Sequence, residues 1–135
     1  MKSLTLARPA TPLEHEEQSA LFQRADYAKR SLPALEWLFA VPNGGYYLSP
    51  RAAGKLKAAG LKAGVPDTFL PVPRGEFAGL FIELKRRDAS PSDTKPGQQR
   101  WHTALRSMGY RVEVCKGREA AWSVLMDYIN NEEIA

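Results

Sequence analysis

The sequence predicts an α/β fold, a mixed β-sheet flanked by helices, and three observations lead there. Stretches of helical period alternate with stretches of strand character over most of the 135 residues. Two apolar runs, DTFLPV and GLFIEL, are separated only by PRGEFA, in which Gly75 suits a hairpin. The second half continues as an amphipathic helix, an alternating strand and a closing helix. There is no internal repeat and no low-complexity tract. The length suits one domain, read here as residues 13–135 behind a flexible N-terminal arm over residues 1–12.

The first helix lies in TPLEHEEQSALFQRADYAKRS. Thr11 suits its cap, Pro12 its first turn, and Glu14, Glu16 and Glu17 the positive end of its dipole. Leu13, Ala20, Leu21 and Tyr27 supply an apolar stripe. Ser31 and Pro33 either end this helix or begin a short second one. LEWLFAV then reads as a helix end passing into a strand that stops at the turn signal PNGG. SPRAAGKLKAAGLKAG follows as a short basic helix capped by Ser49, with Pro50 in its first turn and Gly60 or Gly64 near its end. After the hairpin, RRDASPSDTKPG is a polar loop. Gln98 to Met108 forms a helix with Trp101, Leu105 and Met108 on one side and Gly109 closing it. Tyr110 to Cys115 alternates as a strand, and Arg118 to Ile129 makes the last helix.

Composition excludes several classes. With 44% hydrophobic and 25% charged residues, the chain has a soluble globular composition. No apolar run can span a bilayer, and the opening MKSLTLARPATP has no segment of signal-peptide length, so the expected location is cytoplasmic, without a membrane partner. One cysteine, Cys115, can form neither an internal disulfide nor a cysteine zinc cluster. The net charge of +4 is unevenly placed: residues 51–100 hold ten Lys or Arg against five Asp or Glu, and the remainder nine against ten. Such a basic segment fits a polyanion such as nucleic acid, or simply a solvated face.

Within that segment a set of residues could carry chemistry. Side chains alternate along a strand, so Phe81, Glu83 and Lys85 share one face while Leu80, Ile82 and Leu84 share the other. Either the charged face is wet, or the pair is placed for chemistry. If the two runs pair antiparallel, Asp67 at the start of the first lies beside Glu83 near the end of the second. Two close carboxylates repel, and burying them is costly unless a positive charge offsets them. Mg²⁺, a hard cation that prefers carboxylate oxygen, is a natural compensator and can bridge to a substrate phosphate. Lys85 would then orient or deprotonate the attacking water, or steady charge on the phosphate.

GVPD followed 16 residues later by ELK resembles the PD-(D/E)xK nuclease signature, and its surroundings resemble the VRR-NUC branch of that superfamily. The blocks EHEEQSALF, PNGG, LKAAGLKAGVPD, GLFIELKRR and GQQRWHTALRSMGYRVEVCKG are similar to small stand-alone phage and bacterial members, covering roughly residues 14–129. The resemblance implies a restriction-endonuclease-like αβββαβ core and a DNA endonuclease dependent on Mg²⁺ or Mn²⁺, leaving 5′-phosphate and 3′-hydroxyl ends. It makes Asp67 and Glu83 the metal-binding carboxylates, the Leu84 carbonyl a further ligand and Lys85 the catalytic lysine. A first-helix glutamate often completes such sites through water; Glu14 best fits, with Glu17 the rival and Glu16 less suited. Gln98 matches a site glutamine, with Gln99 the alternative because Pro91 to Gly97 lengthen the loop before it.

The same resemblance places Asn43, Gly44 and Gly45 beside the DNA groove, although Tyr46 and Tyr47 precede the first basic residue after the turn. Arg51, Lys55, Lys57 and Lys62, with Arg86 and Arg87 beyond the site, become candidate phosphate contacts, which confer affinity without sequence preference. Similarity to Holliday junction resolvases implies a homodimer acting on branched DNA in repair or recombination. A flap or nonspecific nuclease and a noncatalytic DNA-binding module are the alternatives. An RNA-binding domain would need more exposed aromatics than the tyrosine pair. His15 and His102 lack a third ligand partner and read as surface or packing residues. Trp101 and Trp122 read as core, and Cys115 as a reduced thiol in or beside a strand.

Overall fold

A computed structural model describes residues 10–42 and 49–131. The described residues form four α-helices and four strands, in the order α1 (Glu14–Ala28), β1 (Phe39–Ala40), α2 (Pro50–Ala58), β2 (Thr68–Leu70), β3 (Leu80–Lys85), α3 (Pro96–Ser107), β4 (Arg111–Lys116) and α4 (Gly117–Ile129). The sheet runs in the order β1-β2-β3-β4. Its first two pairings are antiparallel and the β3–β4 pairing is parallel, as the α3 crossover requires. The expected mixed sheet and αβββαβ core are present, with α2 inserted after β1 and α4 appended. The turn between β2 and β3 is tightened by an Arg74–Phe77 bridge, and Gly75 sits there at φ +54°. No described helix is long and apolar enough to cross a membrane.

The period-two pattern of β3 distributes its residues between two cores. Leu80, Ile82 and Leu84 join Leu21 and Ala25 of α1, Leu70 of β2 and Ala121, Leu125 and Tyr128 of α4. Each such aliphatic side chain contributes about 1.5 to 3 kcal/mol through burial. On the opposite face Phe81 packs with Leu105 and Val112, bordered by Phe69, Trp101 and Tyr110. There the Phe69 and Phe81 rings stack at 4.1 Å across the β2–β3 pair. Glu83 and Lys85 follow Phe81 on this second face, under α3, and both are buried, so the wet-face alternative is excluded.

Several boundaries and faces depart from expectation. Helix α1 starts at Glu14, two residues after Pro12, because Glu16 reaches back to accept the Leu13 amide at 3.0 Å and replaces a Thr11 cap. Its buried stripe is Glu17, Leu21 and Ala25, whereas Tyr27 is 81% exposed. Pro33 begins a 3₁₀ turn, Pro33–Trp37, which is the second of the two readings offered for it. The polar loop holds another 3₁₀ turn, Pro91–Asp93, and Pro96 starts α3 two residues early, its fixed φ suiting a first helical turn. Met108 does not share the buried side of α3 with Leu105 but is mostly exposed. Helix α2 matches its sequence signals: Ser49 Oγ accepts the Ala52 amide at 3.2 Å, and Pro50 opens the first turn. Trp122 is only partly buried, at the core's edge beneath the Arg24 guanidinium.

Candidate active site

The β2–β3 register that pairs Thr68 with Ile82 and Phe69 with Phe81 carries Asp67 alongside Glu83. Asp67 is locked there: its Oδ2 accepts the Leu84 amide at 2.7 Å, and its carbonyl accepts the Val41 amide at 2.7 Å. The first turn of α1 adds Glu14. One carboxylate oxygen from each of Glu14, Asp67 and Glu83 lies within 4.8 Å of the others. Lys85 Nζ is 3.6 Å from Glu83 Oε1 and donates to the Asp93 carbonyl at 3.1 Å and to Gln98 Oε1 at 3.0 Å.

Gln98 ties the group to α3. Its amide nitrogen donates to Glu83 Oε1 at 2.8 Å, while its oxygen accepts both Lys85 Nζ and the Lys95 amide at 3.0 Å. Gln99 is exposed and donates to the Thr94 carbonyl. The geometry therefore brings Gln98, and not Gln99, to the carboxylates. A cleft of about 440 Å³ opens on the group, lined by Glu14, Lys85, Arg86, Asp88, Ala89 and Asp93.

The electrostatics are unbalanced. Three carboxylates against one ammonium leave a formal charge of −2. Glu83 is fully buried, and its pKa is pushed up to about 8, mainly by loss of water and then by the Asp67 and Glu14 carboxylates, with Lys85 opposing. Glu14 is raised as well, by loss of water around its head and by Asp67. Glu83 Oε2 is buried with no hydrogen-bond partner among the described residues. An orphaned carboxylate oxygen, two further oxygen donors nearby and a deficit of two positive charges fit a hard divalent cation.

Glu17, the rival first-helix acid, lies elsewhere. It is buried under a different load, accepting Arg87 at 2.7 and 3.2 Å and Arg118 at 2.7 Å. Those guanidinium bonds hold its pKa down, Arg87 foremost, despite burial. Gly117, at φ +82°, lets the carboxylate in: a Cβ there would fall 2.6 Å from Glu17 Oε2. This cluster escaped the sequence reading. Its one local signal is that Glu17 falls four residues before Leu21 and eight before Ala25, on the buried side of α1.

The expected DNA contacts fare unevenly. Arg51, Lys55, Lys57 and Lys62 are exposed on or just after α2, which has no buried residue. Arg86 lines the cleft but is paired with Asp88 at 3.1 Å. Arg87, expected to meet phosphate, has its guanidinium taken up by Glu17. Asn43, Gly44, Gly45 and the tyrosine pair lie outside the described residues. His102 is buried in packing, as expected, and burial lowers its pKa. Cys115 is a buried thiol pushed up to about 12 by loss of water.

Comparison with known proteins bears on the family and the fold. The family model described as VRR-NUC domain matches residues 47–119. A solved structure titled "VRR_NUC domain protein" is similar at 28% identity and a TM-score of 0.73, over 92% of this chain and 94% of that one. Among curated proteins, none matches.

Proposed function

Because the chain belongs to the VRR-NUC domain family, a family of nucleases, we propose that it is a metal-dependent endonuclease that hydrolyses DNA phosphodiesters, with branched DNA as its substrate. The observation that carries this reading is the Glu14–Asp67–Glu83 group, with its orphaned Glu83 oxygen, beside Lys85. Asp67, Glu83, the Leu84 carbonyl and, directly or through water, Glu14 would hold Mg²⁺ or Mn²⁺. Bound there, the cation supplies Lewis acidity toward the scissile phosphate.

The chain's own groups supply the rest. The Lys85 ammonium has three hydrogens. Two serve Asp93 and Gln98, which leaves one for Glu83, an attacking water or a phosphate oxygen. Gln98 fixes Glu83 Oε1 and Lys85 Nζ relative to each other, so neither must reorganise when substrate arrives. Arg86 stands at the mouth of the cleft where phosphate would enter. Arg51, Lys55, Lys57 and Lys62 extend a basic surface for the DNA backbone. Branched DNA and a homodimer, with two such sites on one four-way junction, follow from the resemblance to resolvases.

The test incubates wild type and Lys85→Ala with labelled four-way junction, flap and linear duplex, in Mg²⁺, Mn²⁺ or EDTA. Wild type is expected to cut the junction fastest, only with metal, and Lys85→Ala to cut at least about a hundredfold more slowly. Preferential cutting of the flap redirects the substrate assignment. No cutting of any substrate with either metal, or an unimpaired Lys85→Ala, overturns the nuclease reading.

A further inference from the structure

Outside the catalytic cleft, α3 presents a second apolar stripe. Trp101, Ala104 and the C-cap residue Met108 recur at helical spacing beside Leu105, along the edge of the side that the sheet covers. Met108 is 64% exposed, and Trp101 and Ala104 are only partly covered. The segment after α2 faces this stripe. Lys62 and Ala63 complete, with Arg100, a groove of about 480 Å³. That volume falls within the roughly 300–1,000 Å³ of small-ligand sites.

The two segments that line the groove also supply residues to the active site. Gly64, at φ +91°, seats the segment leading to Asp67 directly on the start of α3: a Cβ there would fall 2.8 Å from the Gly97 carbonyl oxygen and 3.1 Å from Trp101 Cδ1. Helix α3 in turn presents Gln98, one turn before Trp101, to Glu83. Trp101 also borders the Phe81–Leu105–Val112 core, which fixes its ring.

A rigid indole and an exposed thioether between two exposed cations complement a nucleotide: a flat base for the apolar floor and a phosphate for Lys62 and Arg100. Bases of an intact duplex are stacked on one another and cannot enter. We propose that this groove binds one unpaired nucleotide of the substrate, its base against Trp101 and Met108 and its phosphate between Lys62 and Arg100. The inference rests on the DNA-nuclease reading and names the part of a branched substrate that the protein grips beside the cut.

The test uses Trp37→Phe/Trp122→Phe protein, in which Trp101 is the remaining indole, titrated in EDTA with a short oligothymidylate or a duplex of equal length. Saturable quenching of roughly twofold by the single strand, and little by the duplex, is expected. Met108→Glu, at an exposed position the fold does not need, should weaken single-strand binding about tenfold. Charge reversal at Lys62 or Arg100 should weaken it several-fold. Absent quenching, equal quenching by duplex, or an indole shielded by self-association of the chain each overturns the proposal. Junction cleavage by wild type in Mg²⁺ is followed in parallel. Cutting without quenching removes the subsite and leaves the nuclease reading intact; quenching without cutting does the reverse.

Discussion

Two glutamates among the described residues are completely buried, and they are buried on opposite terms. Glu17 meets two guanidinium groups, and its carboxyl is held below its ordinary range. Glu83 meets one ammonium and two further carboxylates, and its carboxyl is driven up. Burying a charge is tolerable when partners replace its water, as they do at Glu17. At Glu83 they are insufficient, and one oxygen has no partner among the described residues. Glu17 is thus a structural tie between α1, the residues after β3 and the start of α4. Glu83 has the character of a ligand whose compensating charge comes from outside the chain.

Substitutions that break this contrast should have graded effects. The largest is expected for Glu83→Gln and Asp67→Asn, which should lower metal-dependent cleavage at least about a thousandfold, some 4 kcal/mol in the barrier, with the fold retained. Single-turnover rates and circular dichroism check both halves of that statement. Glu17→Gln should act on stability instead, costing about 2 to 3 kcal/mol in urea unfolding. That is less than a fully enclosed pair would cost, because Arg87 and Arg118 are partly exposed and can turn to water. Gln98→Ala should slow cleavage about tenfold without unfolding the protein, since it releases Glu83 and Lys85 from their fixed spacing.

The subtlest difference lies in pH dependence. A carboxyl raised in the folded state binds its proton more tightly there than in the unfolded chain. In metal-free protein the Glu83 contribution is therefore most favourable below about 4.5 and is lost as pH climbs through about 8. Glu17, lowered in the folded state, contributes stability above its ordinary 4.5 that is lost as pH falls through its depressed value. Melting temperatures between pH 4 and 9 in EDTA should fall on the alkaline side for wild type, and Glu83→Gln should flatten that fall. Saturating Mg²⁺ should restore wild type most at the alkaline end.

The sequence made the site far more legible than the tie. Asp67, Glu83 and Lys85 lie on one hairpin, where a short turn and the period of a strand suffice to bring them together. Ser49 and Pro50 of α2 were legible for the same reason, because capping is local. The Glu17 partners stand 70 and 101 residues away, and no local pattern announces them. Arg87 accordingly reads only as a phosphate contact, and its pairing with Glu17 emerges from the fold. Met108 illustrates the remaining gap: helical spacing placed it with Leu105, but the side of α3 that the sheet covers is decided by packing, and Met108 falls beyond its edge.

The contrast between the two glutamates reduces to one calorimetric titration of Mg²⁺ into wild type, Glu83→Gln and Glu17→Gln. The predicted result is saturable binding to wild type and Glu17→Gln, with heats and affinity lost in Glu83→Gln. Undiminished binding to Glu83→Gln, or binding lost only in Glu17→Gln, would contradict the assignment of the metal to the Glu14–Asp67–Glu83 group.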